Sequence, residues 1–457
     1  MKVKSVDMTE GKLLPKIIAF AIPVMLSGLF QQLFSTADMI VVGRFGLDHS
    51  IGAVGSNNAV INLLVNFFIG IATGTGVVTA HAIGEKDGKK VSETVHTAMP
   101  AAAICGLFLT LVGLFGSTWI LENIMKTPAD MLGQASLYLR IYLCGAPLSI
   151  IYNVGSAILR ADGDSKRPLY FITLSGVVNV GLNLIFVVFF HMDVAGVALA
   201  TVISQGVSAA LVVAVLVKRD DDCKLYLRRM RIHKKRLIGI LKIALPTGFT
   251  SIVFHISNVI IQSSVNSFGS AVVDGASAGH SLETFANTIV CCFSAAAQNF
   301  SAQNLGAKKY GRAVRSVFIS AGCACTAGLI LGPLFHYFSP QLLRIYLGDA
   351  KDKISYGVIR LAYQCRFYAV MGLMDTFASG LRGFGSAVSA MAITMLGACG
   401  FRIVWIYTVF QNTRTLDNLF VAYPISWTIT FVAEFIAFMI VYKKIKSKDT
   451  ALKATAD

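Results

Sequence analysis

Residues 194–217 read VAGVALATVISQGVSAALVVAVLV, and residues 218–236 read KRDDDCKLYLRRMRIHKKR. The first stretch has no charged side chain over a length that matches the roughly 20 residues an α-helix needs to cross a bilayer core about 30 Å thick. The second sets Lys218, Arg219, Lys224, Arg228, Arg229, Arg231, Lys234, Lys235 and Arg236 against only Asp220, Asp221 and Asp222. An apolar run that empties into a basic loop reads as a helix leaving the membrane on its cytoplasmic side, where Lys and Arg accumulate.

Outward from this junction the same pattern recurs. Twelve spans are expected, near 14–43, 53–80, 94–120, 131–158, 167–190, 194–217, 237–267, 276–304, 313–338, 354–381, 386–410 and 419–444. The whole chain is 55% hydrophobic and 14% charged, with a mean hydropathy of +0.67, whereas soluble domains carry about 25% charged residues. The runs are long and continuous, unlike the short period-two strands of an outer-membrane barrel. The first span is too long for a signal-peptide core and no small-residue cleavage site closes it, so it is expected to stay in the membrane.

Lys86, Lys89 and Lys90, then Lys166 and Arg167, then Lys308, Lys309, Arg312 and Arg315, and finally Lys443, Lys444, Lys446 and Lys448 all fall on the side of the basic loop. An even number of spans with both termini cytoplasmic satisfies them together. The net charge of +16 is thereby a matter of topology, and nucleic-acid binding is not expected. Of nine cysteines, eight lie inside spans with no CxxC or Cys/His ligand spacing, and they read as small packing residues.

A shift of 222 to 223 residues brings the chain into register with itself. Pro23 of the first span matches Pro246. His81-Ala82-Ile83-Gly84-Glu85-Lys86 matches Gln303-Asn304-Leu305-Gly306-Ala307-Lys308, and Leu159-Arg160-Ala161-Asp162-Gly163 matches Leu381-Arg382-Gly383-Phe384-Gly385. The expected organisation is a six-helix half over 1–217, a basic cytoplasmic linker over 218–236, a second six-helix half over 237–446 and a cytoplasmic tail over 447–457. Six spans per half is an even number, so both halves enter from one side and are related by a pseudo-two-fold axis along the membrane normal. The expected fold is therefore all-α, with a cavity between halves that rock and a linker long enough to tether them.

The order of these landmarks resembles the multidrug and toxin extrusion (MATE) family, in its bacterial drug-exporting branch. The resemblance covers nearly the whole chain. It is carried by Ala21-Ile22-Pro23, by Thr36-Ala37-Asp38-Met39-Ile40-Val41-Val42-Gly43, by Gly84-Glu85-Lys86-Asp87 and by the paired Leu159-Arg160 and Leu381-Arg382-Gly383 turns.

Ionisable side chains at membrane depth are costly and ask for a reason; Asp38, Glu283, Asp375, Arg402 and Glu434 are the clearest. Asp38 shares one helix face with Ser27, Gln31 and Ser35, at spacings of four, four and three. Asn179 and Asn183 stand one turn apart in span 5, and Thr201 lies in span 6. The family resemblance implies a cation site, for Na+ or H+, built from Asp38, Asn179, Asn183 and Thr201. Some relatives have a second carboxylate where this chain has Asn183. Read from the residues alone, the two amides would equally serve to bond neighbouring helices.

Gln31, Ser35, Asn58, Asn62 and Asn66 in the first half, and His255, Asn258, Gln262, Glu283, Asn287, Asp375 and Arg402 in the second, are candidate linings of a substrate cavity. The counterparts of Asp38 and Asn179 fall near Ile261 and Phe401, so the cation site is not duplicated; Arg402 stands beside the second position and could balance Glu283 or Asp375. His255 and His280 read either as proton relays or as packing residues. Pro23 is a candidate hinge.

The function expected is antiport: export of amphipathic organic cations or drugs in exchange for Na+ or H+. The alternative is a flippase for a lipid-linked or amphipathic substrate of the wider MATE/polysaccharide-exporter superfamily, which would be expected to show a more cationic cavity. No Walker A pattern and no nucleophile, base and orienter set is found, so neither ATP-driven transport nor enzyme chemistry is expected. The expected setting is a monomer in the bacterial inner membrane, in contact with lipid, with small-molecule substrates and no cofactor beyond the coupling ion.

Overall fold

The computed structural model describes residues 5–45, 50–125 and 127–454, and the side chains among them apart from 43, 50–56, 58–59 and 448–454. Every regular element among the described residues is helical. The helices are α1 (Leu13–Phe45), α2 (Ser50–Gly84), α3 (Gly88–Trp119), α4 (Ala129–Cys144), α5 (Ala146–Ala161), α6 (Lys166–Asn183) and α7 (Asp193–Lys218), then α8 (Lys234–Asn266), α9 (Ser270–Gly306) and α10 (Tyr310–Tyr337). They continue with α11 (Ser339–Leu347), α12 (Lys351–Cys365), α13 (Tyr368–Gly383), α14 (Ala387–Thr394), α15 (Phe401–Tyr407), α16 (Val409–Asn412), α17 (Leu416–Phe420) and α18 (Ala422–Ala454). Wider π turns extend α3 over Ile120–Ile124 and α6 over Leu184–Phe189, and a third at Met395–Gly400 joins α14 to α15.

Each expected span is thus a helix or a broken helix, and the all-α multi-pass fold is borne out. Among the described residues nine are long and apolar enough to cross a membrane, ten if α4 and α5, bent by 44°, form one span. That break falls at Gly145, ahead of Pro147 in the first turn of α5, where a proline lacks no bond the helix needs. The two expected spans that fall short of this apolarity are α9 and the α12–α13 pair, and they hold Glu283 and Arg360. Outward-facing Phe115, Phe189, Ile345 and Leu396 are exposed, as lipid-facing side chains are.

The chain packs as two compact units: Met1–Asp7 with Leu26–Gly248, and Met8–Met25 with Phe249–Asp457. Helices α1 and α8 each divide between units three residues past their prolines, Pro23 and Pro246. In the first unit Val95, Leu109, Ile150, Val154, Val212 and Leu216 seal α3, α5 and α7 together. A side chain at Gly106 would put its Cβ 2.2 Å from the Cα of Pro147, so α3 and α5 approach at a distance only glycine permits. In the second unit Val290, Ala324, Leu361, Met371 and Tyr423 form one core, and Val317, Phe377, Leu381 and Phe438 another.

The internal repeat extends to backbone conformation. Lys86 and Lys308, in the matched Gly84-Glu85-Lys86 and Gly306-Ala307-Lys308 strings, both take left-handed φ, 55° and 56°. Gly163 and Gly385 do likewise at 88° and 79°. Each pair closes its helix the same way: Asp87 N–H to Ala82 O and Lys309 N–H to Asn304 O, then Asp164 N–H to Leu159 O and Ser386 N–H to Leu381 O.

The basic segment 218–236 carries buried side chains among its charges. Cys223 and Leu225 are 3% and 1% exposed, and the Leu225 N–H bonds Leu216 O. The His96 ring accepts from the Tyr226 N–H at 3.0 Å and stacks on the Tyr226 ring. Arg236 meets Glu93 at 3.0 Å, and Arg219 pairs with Asp162 and Asp221. Burial pushes the Asp162 carboxyl above its ordinary value, opposed by the Arg219 guanidinium. Apolar residues spaced among the charges fasten the segment to the N-terminal end of α3.

Candidate cation site and the polar interior of the second unit

Gly176 on α6 has room for no side chain, because a Cβ there would stand 1.8 Å from the ring of Phe34 on α1. This close approach brings the next turns of the two helices side by side: Asp38 follows Phe34 by four positions, while Asn179 and Asn183 follow Gly176 by three and seven. The Asn183 amide donates to Asp38 Oδ1 at 2.5 Å and to Asn179 Oδ1 at 3.3 Å. Asn179 in turn donates to Thr201 Oγ1 at 3.4 Å, and that hydroxyl donates to Val197 O at 2.9 Å. The four residues singled out for cation binding therefore form one hydrogen-bonded line across α1, α6 and α7.

Asn183 is fully buried and Asn179 is 4% exposed, whereas Asp38 is half-buried. The Asn183 Oδ1 atom is buried with no hydrogen-bond partner. An orphan acceptor beside a carboxylate, a second amide oxygen and a hydroxyl is a set of hard oxygen ligands, suited to an alkali cation and to a proton. Among the described residues no group of three or more His, Cys, Asp or Glu converges as a transition-metal site would need. The π turn at Leu184–Phe189 begins directly after Asn183; such insertions are frequent at functional sites.

In the second unit, glycines again set the geometry. A Cβ at Gly275 would be 2.2 Å from Lys353 O and one at Gly279 3.3 Å from Gly357 O, so α9 and α12 run closely packed and bring Glu283 against Arg360. Arg360 Nη2 donates to Glu283 Oε2 at 3.0 Å, and His280 Nδ1 lies 3.3 Å from the same oxygen. Arg360 also stands 5.6 Å from the centre of the Phe420 ring and 6.0 Å from that of Tyr423. Arg360 is 4% exposed; it was missed in the sequence, although an Arg within an expected span was the signal that could have found it.

Arg402 does not balance Glu283 or Asp375. Glu283 is taken by Arg360, Asp375 accepts from the Cys291 thiol at 2.9 Å, and Arg402 donates instead to Ser426 Oγ at 2.9 Å. Glu434, fully buried, accepts from Thr394 at 2.9 Å. Asn287 accepts from Cys291 at 2.7 Å, and Gln262 donates to Asn266 at 3.1 Å. His255 and Asn258 are half-buried, as is Asn66, while Gln31, Ser35 and Asn62 are exposed. The side chain of Asn58 lies outside the described residues.

The repeat, the helical order and the polar line can be set beside known proteins. The MatE family model matches twice, over residues 23–185 and 246–408, one copy per half and in total more than half of the chain. This chain belongs to the MatE family. MATE proteins are transporters, and the chain accordingly is a multi-pass membrane transporter and not an enzyme. It is 24% identical over 435 residues to a probable multidrug resistance protein of Bacillus subtilis, YoeA, covering 93% of each chain. A second, YpnP of the same organism, is 25% identical over 394 residues, covering 86% of this chain and 88% of its own. The crystal structure of a MATE in complex with MaL6 superposes with a TM-score of 0.91 at 21% identity, covering 98% of this chain and 100% of that one, which shows a shared MATE fold. The two family matches start 223 positions apart, the shift at which the sequence matches itself.

Proposed function

We propose that this MATE transporter exports amphipathic organic cations or drugs from the cytoplasm in exchange for Na+ or H+, with Asp38 as the coupling group. The observation that carries the reading is the hydrogen-bonded line Asp38, Asn183, Asn179 and Thr201, with the buried Asn183 carbonyl oxygen left unpaired. A carboxyl holds either a proton or a sodium ion, and each neutralises it. Sodium would be held by the Asp38 carboxylate with the amide oxygens of Asn179 and Asn183 and the Thr201 hydroxyl. Asp38 and Thr201, both half-buried, are the ends of the line and the two amides its buried middle.

An ion moving inward down 100 mV releases about 2.3 kcal/mol per charge, enough to concentrate a neutral or zwitterionic drug about fiftyfold at one-to-one exchange; exchange for a monovalent organic cation is electroneutral at one-to-one and draws on the ion's concentration gradient alone. Pro23 lacks a backbone donor, so α1 can bend above it as the ligand at Asp38 changes. The setting proposed is the inner membrane with both termini cytoplasmic. Cells loaded with a fluorescent organic cation, with external Na+ and pH varied separately, test the reading. Efflux is expected to rise with one of the two gradients and to stop when that gradient is collapsed; efflux indifferent to both would overturn it.

A further inference from the structure

We propose that the second unit binds a carboxylate or similar singly charged oxyanion at Arg402. Arg402 is fully buried in α15, directly after the π turn at Met395–Gly400. Its Nε donates to Ser426 Oγ at 2.9 Å, and its guanidinium carbon lies 4.3 Å from the centre of the Tyr423 ring and 5.3 Å from that of Phe254. The guanidinium thus lies within cation–π distance of two aromatic rings and its Nε is used. Both Nη1 and Nη2 are buried without an acceptor. The remaining edge offers parallel N–H donors, the fork that matches the two oxygens of a carboxylate.

Charge points the same way. The neighbouring Arg360 has its counter-ion in Glu283, while among the described residues no carboxylate lies within ion-pair distance of Arg402. Glu283 and Arg360 cancel, so Arg402 leaves this interior with a surplus positive charge. A further unused hydroxyl, Ser257 Oγ, is 1% exposed on α8, one turn beyond Phe254 and on the same face. Buried polar groups without partners call for a water or an ion. A water would take up the donors but leave the charge, and an uncompensated guanidinium inside a membrane protein is the costly case. An anion satisfies both.

This goes beyond cation-coupled export: ligands favoured by the second unit carry an anionic group, whether as part of a zwitterionic amphiphile or as a free anion. The test is equilibrium binding to the purified full-length protein in detergent, with no ion gradient, so its outcome is separate from that of the coupling reading. Tetramethylrhodamine, which has a free carboxylate, and its methyl ester, which does not, are titrated by fluorescence anisotropy. Sodium acetate and inorganic phosphate are titrated by thermal unfolding.

The wild-type protein is expected to bind the acid about tenfold tighter than the ester, and Arg402→Gln to bind the two alike. Arg402→Lys, which keeps the charge without the fork, is expected to retain part of the preference and serves if the Gln variant does not fold. A rise in the wild-type unfolding midpoint with acetate or phosphate, absent in Arg402→Gln, identifies a free anion as sufficient. Preference for the acid without such a rise identifies the carboxylate of an amphiphile. Equal affinity for acid and ester with no response to either salt overturns the proposal, as does an acid preference unchanged in both Arg402 variants.

Discussion

Replacing Gly176 with alanine tests whether the approach of α1 to α6 assembles the candidate cation site. The added Cβ would lie 1.8 Å from the Phe34 ring, about 1.7 Å short of the roughly 3.5 Å at which carbon atoms pack. If α1 yields by that amount, the 2.5 Å contact between Asn183 and Asp38 opens to about 4.2 Å, beyond hydrogen-bond reach. Overpacking of this kind costs about 1–3 kcal/mol, and a hydrogen bond to a charged group contributes about 1.5–3 kcal/mol. Gly176→Ala is therefore expected to slow ion-driven efflux about tenfold or more in reconstituted vesicles, with all four site residues intact. Phe34→Ala removes the ring, so the double variant Phe34→Ala/Gly176→Ala is expected to recover most of the rate. Wild-type transport by Gly176→Ala, or a well-expressed double variant that recovers nothing, would refute the reasoning.

Other consequences follow from the same contacts. Arg360→Gln leaves Glu283, 8% exposed, without its arginine counter-ion and is expected to destabilise by about 3–5 kcal/mol, whereas Arg360→Gln with Glu283→Gln is expected to cost less than the sum of the two single changes; strictly additive unfolding midpoints would contradict the pairing. His96→Ala removes the acceptor of the Tyr226 N–H, worth about 1 kcal/mol, so trypsin is expected to cut at Arg228 and Arg229 about fivefold faster, and an unchanged rate would mean that the linker is held by other contacts. A membrane-impermeant thiol reagent is expected to label a cysteine at Asp130 or Asp417 from outside, and one at Lys234 only after permeabilisation; the reverse pattern contradicts the proposed topology.

The fold was legible because a membrane span leaves a strong mark: an apolar run of sufficient length bounded by charge. The duplication was legible because the helix-ending turns need particular residues, and Gly163 and Gly385 take the same positive φ. Asp38, on a stripe with Ser27, Gln31 and Ser35, and the Asn179 and Asn183 pair stood out because polar residues three or four apart on a lipid-embedded helix share a face; that these three and Thr201 belong to one site was implied by the family resemblance. Helix spacing could not show that Gly176 receives Phe34, since that contact joins residues far apart in the chain. Arg360 was passed over although it lies inside the expected span 354–381; its pairing with Glu283 depends on the close approach of α9 and α12 at Gly275 and Gly279, which joins residues far apart in the chain. A count of the linker's charges did not show the two buried side chains, Cys223 and Leu225, that pack within it.

The most direct measurement of the central claim is transport by purified Asp38→Asn in vesicles, run both as uphill efflux and as substrate counterflow. Asparagine keeps the shape of the side chain and its bond to Asn183 but cannot alternate between a proton and a sodium ion. The account predicts that Asp38→Asn loses uphill efflux while retaining measurable substrate binding. Uphill efflux at the wild-type rate would contradict it and place the coupling group elsewhere, with Asp375 the next to test.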